Sequence, residues 1–157
     1  MPKPKIGLPD KARAEIAAIL NTLLADEFVL YTKTRNFHWN VVGPNFHSLH
    51  KFFEAQYDEI AVYIDDTAER VRTLGATPLG TMADFLKNTR LKEATGNMKT
   101  AEGMLTALLA DHEQIIQSLR EAVETVDDLD DEGTTDFLTG LMKDHEKAAW
   151  MIRSHIE

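Results

Sequence analysis

The sequence has 157 residues, a length that suits one domain (1–157) with a buried core, and it has a formal charge of −9 and no cysteine. The acidic balance argues against a general nucleic-acid binder, because an acidic surface repels phosphate, and the lack of cysteine excludes disulfides and thiolate metal sites. No apolar run reaches signal-peptide length at the N-terminus or the ~18 residues of a membrane span, so we expect a soluble, cytoplasmic protein that does not enter a membrane.

Four long segments repeat apolar residues at helical spacing, and none alternates like a strand, so the sequence predicts an all-α chain. The approximate bounds of these segments are 9–38, 46–74, 98–126 and 134–156. A long connection, 76–97, joins the second to the third and contains a short helical stretch at 82–88. Four helices with one long crossover in the middle predict a ferritin-like four-helix bundle with a short extra helix. Residues 1–8, with two prolines, are expected to form a flexible tail.

The second helix carries two stripes on a helical wheel. The stripe assigned to the core contains Phe46, Leu49, Phe53, Tyr57, Ile60, Ile64, Ala68, Val71 and Leu74. Beside it run His47, His50, Glu54, Asp58, Asp65 and Glu69. A solvated polar face is the ordinary interpretation of such a stripe. The stripe contains no basic residue before Arg72, however, and like charges four residues apart are unfavourable unless a cation lies between them.

A single chain cannot bring the whole stripe to one metal. His50 and Asp65 are separated by roughly 22 Å along a continuous helix. His38 and His50 can approach each other, because both lie near the Gly43-Pro44 turn. If two copies of the second helix pack antiparallel about a two-fold axis, these histidines meet Asp65 and Glu69 of the other copy. Such a nitrogen and oxygen set suits iron, manganese or zinc.

The sequence resembles the Dps family, the DNA-protecting proteins of starved cells, also called mini-ferritins. The resemblance is carried by His38-Trp39-Asn40-Val41, Gly43, Phe46, Leu49-His50, Phe53, Tyr57, Asp65, Ala68-Glu69-Arg70 and Leu74-Gly75. It implies a homo-dodecameric hollow shell that oxidises Fe²⁺ with hydrogen peroxide, in preference to O₂, and stores ferric mineral inside. It also implies protection of DNA from oxidative damage during stress.

By position, His38 and His50 match the family's histidine ligands, and Asp65 and Glu69 match the acidic ligands supplied by the partner chain. These four are the expected catalytic, ferroxidase residues. Glu54 matches an acidic position that is often Asp, and its longer side chain leaves three roles open: direct contact with iron, contact through water, or nucleation of the mineral. Trp39 resembles the family's tryptophan beside the centre. Iron is the expected metal, with zinc or manganese as substitutes.

Two alternatives concern metal chemistry elsewhere in the chain. A di-iron or di-manganese enzyme with its site inside one bundle is disfavoured, because the sequence contains no Glu-x-x-His step. His112 and His145 can join Glu27 as a buried metal group, but hydrogen-bonded core histidines are the favoured interpretation. His47 is a candidate extra ligand, although an exposed position at a helix start is favoured.

The acidic run at 126–136 contains Asp128, Glu132 and Asp136 at four-residue spacing. Acids favour loops and helix starts, but these positions also resemble the acids that line the family's three-fold iron-entry pores. Repeated around a three-fold axis, they predict a negative funnel that concentrates Fe²⁺.

The N-terminus carries Lys3, Lys5, Lys11 and Arg13, and several family members bind DNA through a lysine-rich tail. Twelve copies of a short tail can bind through avidity, whereas a disordered leader is the simpler interpretation. The alternative function is therefore an architectural, nucleoid-associated DNA-compacting protein in which iron chemistry is secondary.

Overall fold

A computed structural model describes residues 3–94, 96 and 100–156. These residues form five α-helices and no β-strand, which confirms the all-α prediction. The helices are α1 (Asp10–Asn40), α2 (Phe46–Thr73), α3 (Met82–Asn88), α4 (Ala101–Asp127) and α5 (Glu132–Arg153). Helix α1 packs mainly against α2, α4 packs mainly against α5, and α3 packs against α1. No helix in the described ranges has both the length and the apolar character needed to span a bilayer.

The helix ends differ from the prediction by a few residues, and side-chain caps account for two of the differences. Helix α5 begins at Glu132 rather than at residue 134, because the Asp131 carboxylate accepts a hydrogen bond from the Thr134 N–H. In the same way, Thr100 caps α4 by accepting from the Gly103 N–H. The predicted start of that helix at Met98 lies outside the described residues. Helix α1 continues past His38 to Asn40, and α5 ends at Arg153 rather than at residue 156.

The break between α1 and α2 places the two helices side by side. Val41 is extended, and Gly43 has a φ of 115°, a left-handed conformation that favours glycine. Pro44 cannot continue a helix from the preceding turn, since it has no backbone N–H. The chain therefore reverses within five residues and brings the end of α1 to the start of α2.

The core is a continuous apolar cluster contributed by all four long helices. Its fully buried large side chains are Phe37, Phe53, Ile16, Leu20, Leu30, Ile60, Leu74, Leu108, Ile115, Leu119 and Leu138, whereas Leu24 forms a second, smaller cluster with Ala25 and Phe85. Burial of each such side chain contributes about 1.5–3 kcal/mol relative to exposure. Phe46 was wrongly assigned to this core: it is 45% exposed. It stands in the first turn of α2, where its ring lies 5.1 Å from the His50 ring.

The N-terminal residues that the structure describes contact the bundle. Leu8 packs against the core cluster, and Lys3 forms an ion pair with Asp10. Residues 1 and 2 lie outside the described part of the chain. Flexibility of residues 1–8 stays a prediction.

A buried carboxylate fixes the crossover to α1. Asp26 is 1% exposed and accepts hydrogen bonds from Thr89 Oγ1 at 2.8 Å, Arg90 N at 2.6 Å and Arg90 Nε at 2.7 Å. Phe28 of α1 and Phe85 of α3 stack with their ring centroids 3.9 Å apart, and this contact packs α3 against α1. The long connection is therefore held at a defined position rather than left as a loose loop.

A chain of three buried polar side chains crosses the bundle interior. Glu27 Oε1 lies 2.8 Å from His145 Nε2, and His145 Nδ1 lies 2.9 Å from His112 Nδ1. With the Glu27 oxygen as acceptor, His145 Nε2 donates to it, and His145 Nδ1 in turn accepts from His112 Nδ1. This agrees with the interpretation as hydrogen-bonded core histidines. Among the described residues, no group of three His, Asp or Glu converges closely enough to hold a metal ion.

We predict that replacing Asp26 by Asn destabilises the protein by about 1.5–3 kcal/mol, the usual contribution of hydrogen bonds to a charged group. Chemical unfolding, with hydrogen exchange at residues 89–94, measures the effect. The matched control is Glu146→Gln, which removes an exposed ion pair with Arg120 and is expected to cost less than about 1 kcal/mol. Equal destabilisation by the two variants would contradict the role of Asp26.

We also predict a loss of stability in mild acid that depends on His112. Burial, followed by the charge of His145, holds the pKa of His112 well below its ordinary value. Unfolded chains take up this proton near pH 6.5 whereas the folded protein does not, so stability falls as pH drops below about 6.5.

Thermal unfolding between pH 7.5 and pH 5 tests this dependence. His112→Gln is expected to flatten the pH slope, because it removes the group that must be protonated on unfolding. His47→Gln, at an exposed histidine, is the matched control. The prediction fails if both variants change the slope equally.

Candidate metal centre

His38 and His50 hold each other in place across the α1–α2 break. His38 Nδ1 lies 2.8 Å from the backbone oxygen of His50, and His50 Nδ1 lies 2.9 Å from the backbone oxygen of His38. The two rings stack with centroids 3.7 Å apart and an interplanar angle of 21°. The approach of His38 to His50 that the sequence predicts is therefore present in the fold. The side chain of each histidine contacts the backbone oxygen of the other.

These hydrogen bonds determine which nitrogen of each ring is available. A backbone carbonyl only accepts, so each Nδ1 carries the hydrogen and donates it. In the neutral rings, each Nε2 then has a free lone pair, which is the form that binds a metal. The arrangement presents two parallel imidazole ligands whose orientation is fixed before any ion arrives.

The neighbours of the pair restrict its motion on one side. His38 is 7% exposed, and the Tyr57 ring meets it edge-on with centroids 5.2 Å apart. His50 is half-buried and lies beneath the Phe46 ring. The pair is thus partly covered by protein but remains at the surface of the bundle.

Glu54 lies one turn after His50 on α2 and is half-buried. Its carboxylate accepts a hydrogen bond from Lys51 Nζ at 2.5 Å, so the expectation that this stripe has no basic residue before Arg72 was wrong. This bond holds the pKa of Glu54 below its ordinary value, and the positive charge of Lys51 acts in the same direction. Glu54 is therefore an ionised carboxylate next to the imidazole pair, with one oxygen already engaged by Lys51.

Asp65 and Glu69 stand one turn apart farther along α2, and both are exposed. Neither carboxylate has a hydrogen bond or an ion pair with any other residue that the structure describes. The intervening helix is continuous, so the ~22 Å rise from His50 to Asp65 applies and the two ends of the stripe do not meet within one chain. The structure brings His38 and His50 together, places Glu54 one turn after His50 without closing a three-ligand group, and leaves Asp65 and Glu69 apart from them.

The other predicted site residues are exposed. His47 lies in the first turn of α2, with its side chain in solvent. Asp128 is the C-terminal cap of α4, whereas Glu132 and Asp136 stand one turn apart on α5. Asp131, between them, is buried and paired with Arg70 at 2.9 Å, which fixes the turn that carries these acids.

Sequence reasoning missed an aromatic and cationic group beside the histidines. Trp39 is 64% exposed and contacts the guanidinium of Arg35, which also contacts Tyr31 and Tyr57. Tyr57 was assigned only to the core, but it is half-buried and links His38 to Arg35. The spacing of Tyr31, Arg35 and His38 at four and three residues places them on one face of α1 and was the available signal.

The comparisons with known proteins agree with the all-α, ferritin-like fold. The Ferritin family, described as a ferritin-like domain, matches residues 17–157. An uncharacterized low temperature-induced protein of Nostoc sp. is 49% identical over 158 residues, covering 100% of this chain and 88% of that protein. DNA protection during starvation protein 2 of Bacillus anthracis is 41% identical, covering 90% of this chain and 97% of that protein.

A solved structure is also similar over the full chain. The Dps protein of Vibrio cholerae O1, described as a member of a broad superfamily of ferritin-like diiron-carboxylate proteins, has a TM-score of 0.94 and 31% identity. The match covers 100% of this chain and 98% of that one. The helical order, the long crossover with its short helix, and the relatives in sequence and structure lead to one assignment: the chain belongs to the Dps group of the ferritin-like family.

Proposed function

We propose that this protein oxidises Fe²⁺ at centres shared between two chains and stores the ferric product, and that this protects DNA from oxidative damage. Each centre takes His38, His50 and Glu54 from one chain and Asp65 and Glu69 from its partner. The observation that carries the proposal is the His38–His50 pair, which offers two free Nε2 atoms without a third metal ligand converging on them in the described chain.

The chemistry of the donors suits this reaction. Two neutral imidazoles and several carboxylates match the preference of Fe²⁺ for nitrogen and oxygen ligands, and the negative charge of the carboxylates favours the ferric product. The carbonyls of His38 and His50 keep both rings oriented throughout the reaction, as outer-shell partners do in other metal sites.

The oxidant sets the stoichiometry of the reaction. Hydrogen peroxide takes one electron from each of two Fe²⁺ ions and, with two protons, yields two molecules of water. Taking the electrons in pairs avoids the hydroxyl radical that one-electron reduction of peroxide releases. We propose peroxide as the preferred oxidant and O₂ as the slower one, with Zn²⁺ and Mn²⁺ as ions that bind the same ligands.

Assembly into a homo-dodecamer is part of the proposal, since the centre is incomplete in one chain. Exposed large apolar residues support burial of this surface against other copies, because such residues on a monomer mark interaction sites. They include Trp39, Val42 and Phe46 around the histidines, Val62 on α2, and Met82 and Leu86 on α3.

The acids at the α4–α5 turn are proposed to line an iron-entry pore. Asp128, Glu132 and Asp136 are exposed and form no ion pair with the other described residues. Three copies around an axis would give a negative funnel that raises the local concentration of Fe²⁺. In this proposal the protein works in the cytoplasm, where Fe²⁺ and peroxide meet.

Mixing two inactive variants tests the shared centre. We predict that His50→Ala and Asp65→Ala each lose most peroxide-driven Fe²⁺ oxidation, because each removes a ligand from every centre. When equal amounts of the two chains are unfolded together and reassembled, about half of the two-fold pairs are mixed. Each mixed pair contains one intact centre out of two, so about a quarter of wild-type activity returns. The rate of ferric product formation measures the outcome.

Mixing the two assembled variants without unfolding is the matched control and is expected to restore nothing. Absence of recovery in properly reassembled shells would mean that the two ligands act within one chain. Scattering that gave a monomer for the active wild type would have the same meaning.

A DNA damage assay separates iron chemistry from DNA binding. We predict that the wild type suppresses plasmid nicking by Fe²⁺ and peroxide, whereas His50→Ala does not, because protection follows removal of Fe²⁺ and peroxide. Gel shifts at low and high salt, with and without residues 1–13, accompany the assay. The architectural alternative would hold if two results were obtained together. His50→Ala would protect DNA as well as the wild type, and both proteins would retard DNA in the gel only when residues 1–13 were present.

A further inference from the structure

The guanidinium of Arg35 lies beside three aromatic rings at the surface of the bundle. Its Cζ atom lies 4.6 Å from the ring centroid of Tyr57, 5.3 Å from that of Trp39 and 5.5 Å from that of Tyr31. Arg35 Nη1 also donates a hydrogen bond to the Tyr31 hydroxyl at 2.7 Å. A planar cation held by three π-faces and a hydrogen bond has little freedom to move away.

This fixed charge lies close to the histidine pair. Tyr57 contacts Arg35 on one side and His38 on the other, so Arg35 Cζ is no more than about 10 Å from the His38 ring. Arg35 also stands three residues before His38, on the same face of α1. The hydrogen bond that Arg35 donates to the Tyr31 hydroxyl raises the pKa of Arg35, with smaller contributions from Tyr57 and Asp58, so the side chain stays charged at any working pH.

We propose that Arg35 determines metal affinity at the His38–His50 pair: its fixed positive charge weakens cation binding there and disfavours Fe³⁺ more than Fe²⁺. Arg35 is thus a positioned charge that acts on the ion through space and is not a ligand. This inference rests on the proposed metal centre. Its consequence is that ferric product leaves the centre for the store rather than remaining on its ligands.

The size of the effect follows from Coulomb's law. A unit charge about 10 Å from a divalent ion weakens binding by about 3- to 10-fold in surroundings close to water at low salt. The repulsion energy is half as large again for a trivalent ion, since it scales with charge. Asp58 faces Arg35 and offsets part of its charge, whereas Lys51 and Glu54 form a pair of opposite charges.

The competing explanation is that Arg35 only packs Trp39 and Tyr57. In that case its loss would loosen Tyr57 and, through it, His38, so metal binding would weaken. The charge role predicts the opposite sign, because removing the charge tightens binding. Only the charge role also depends on ionic strength, since salt screens charges but leaves aromatic packing in place.

The experiment measures Zn²⁺ binding by calorimetry on the full-length, assembled protein, because Zn²⁺ uses the same kinds of ligand without redox chemistry. The variants are Arg35→Gln and Arg35→Lys, with His50→Ala as the site control. Arg120→Gln is the charge control: Arg120 is exposed and paired with Glu146. The first residue of α4, Ala101, lies near Leu49 and therefore at the histidine end of the bundle. Arg120 stands near the other end of α4, so its charge is distant from the histidine pair.

We expect Arg35→Gln to bind Zn²⁺ about 3- to 10-fold more tightly than the wild type at low salt, with the gain shrinking at high salt. Arg35→Lys and Arg120→Gln are expected to stay within about twofold of the wild type, since the first keeps the charge and the second removes a distant one. Unchanged or weaker binding in Arg35→Gln would overturn the charge role, as would an equal change in Arg35→Lys. If wild type and His50→Ala bound Zn²⁺ alike, the metal centre itself would fall and this inference with it.

Discussion

The reciprocal hydrogen bonds between His38 and His50 are the contact on which the candidate site depends. They join the last turn of α1 to the first turn of α2, and they close across a break that Gly43 and Pro44 impose. The same two bonds settle the tautomer of each ring. In our proposal, one interaction therefore sets both the local backbone geometry and the availability of the two Nε2 atoms for a metal.

Helix geometry explains why the site is completed by another copy of the chain in our proposal. A straight helix separates His50 from Asp65 by more than any single ion can bridge, and α2 is continuous between them. Antiparallel pairing of two such helices removes the separation without bending either one. The exposed carboxylates of Asp65 and Glu69 and the exposed apolar residues around the histidines are consistent with a surface that another copy of the chain covers on assembly.

Charge is distributed differently in the interior and around the site. Inside the bundle, each buried carboxylate has a specific partner. Asp26 accepts hydrogen bonds from the crossover, Glu27 contacts His145, and Asp111 pairs with Lys33. These buried contacts fix how the helices sit against one another, since leaving any such carboxylate unpaired would be costly. Around the histidines, charge stands at the surface, with Arg35 held by aromatic rings and the acids of α2 left open. In our proposal, stability and metal binding thus depend on different ionisable side chains.

The sequence by itself determined the helices, their order, the crossover with its short helix and the His38–His50 pairing, because helical periodicity, turn residues and spacing are local properties of the chain. It also led to the family through the motif around the Gly43-Pro44 turn. Only the tertiary structure decided that Phe46 lies against His50 rather than in the core, that Arg35 lies beside three aromatic rings, and that the hydrogen bonds of the buried histidines run from His112 through His145 to Glu27. Those features join residues far apart in sequence, and their atomic contacts depend on how the helices pack, which no local pattern specifies.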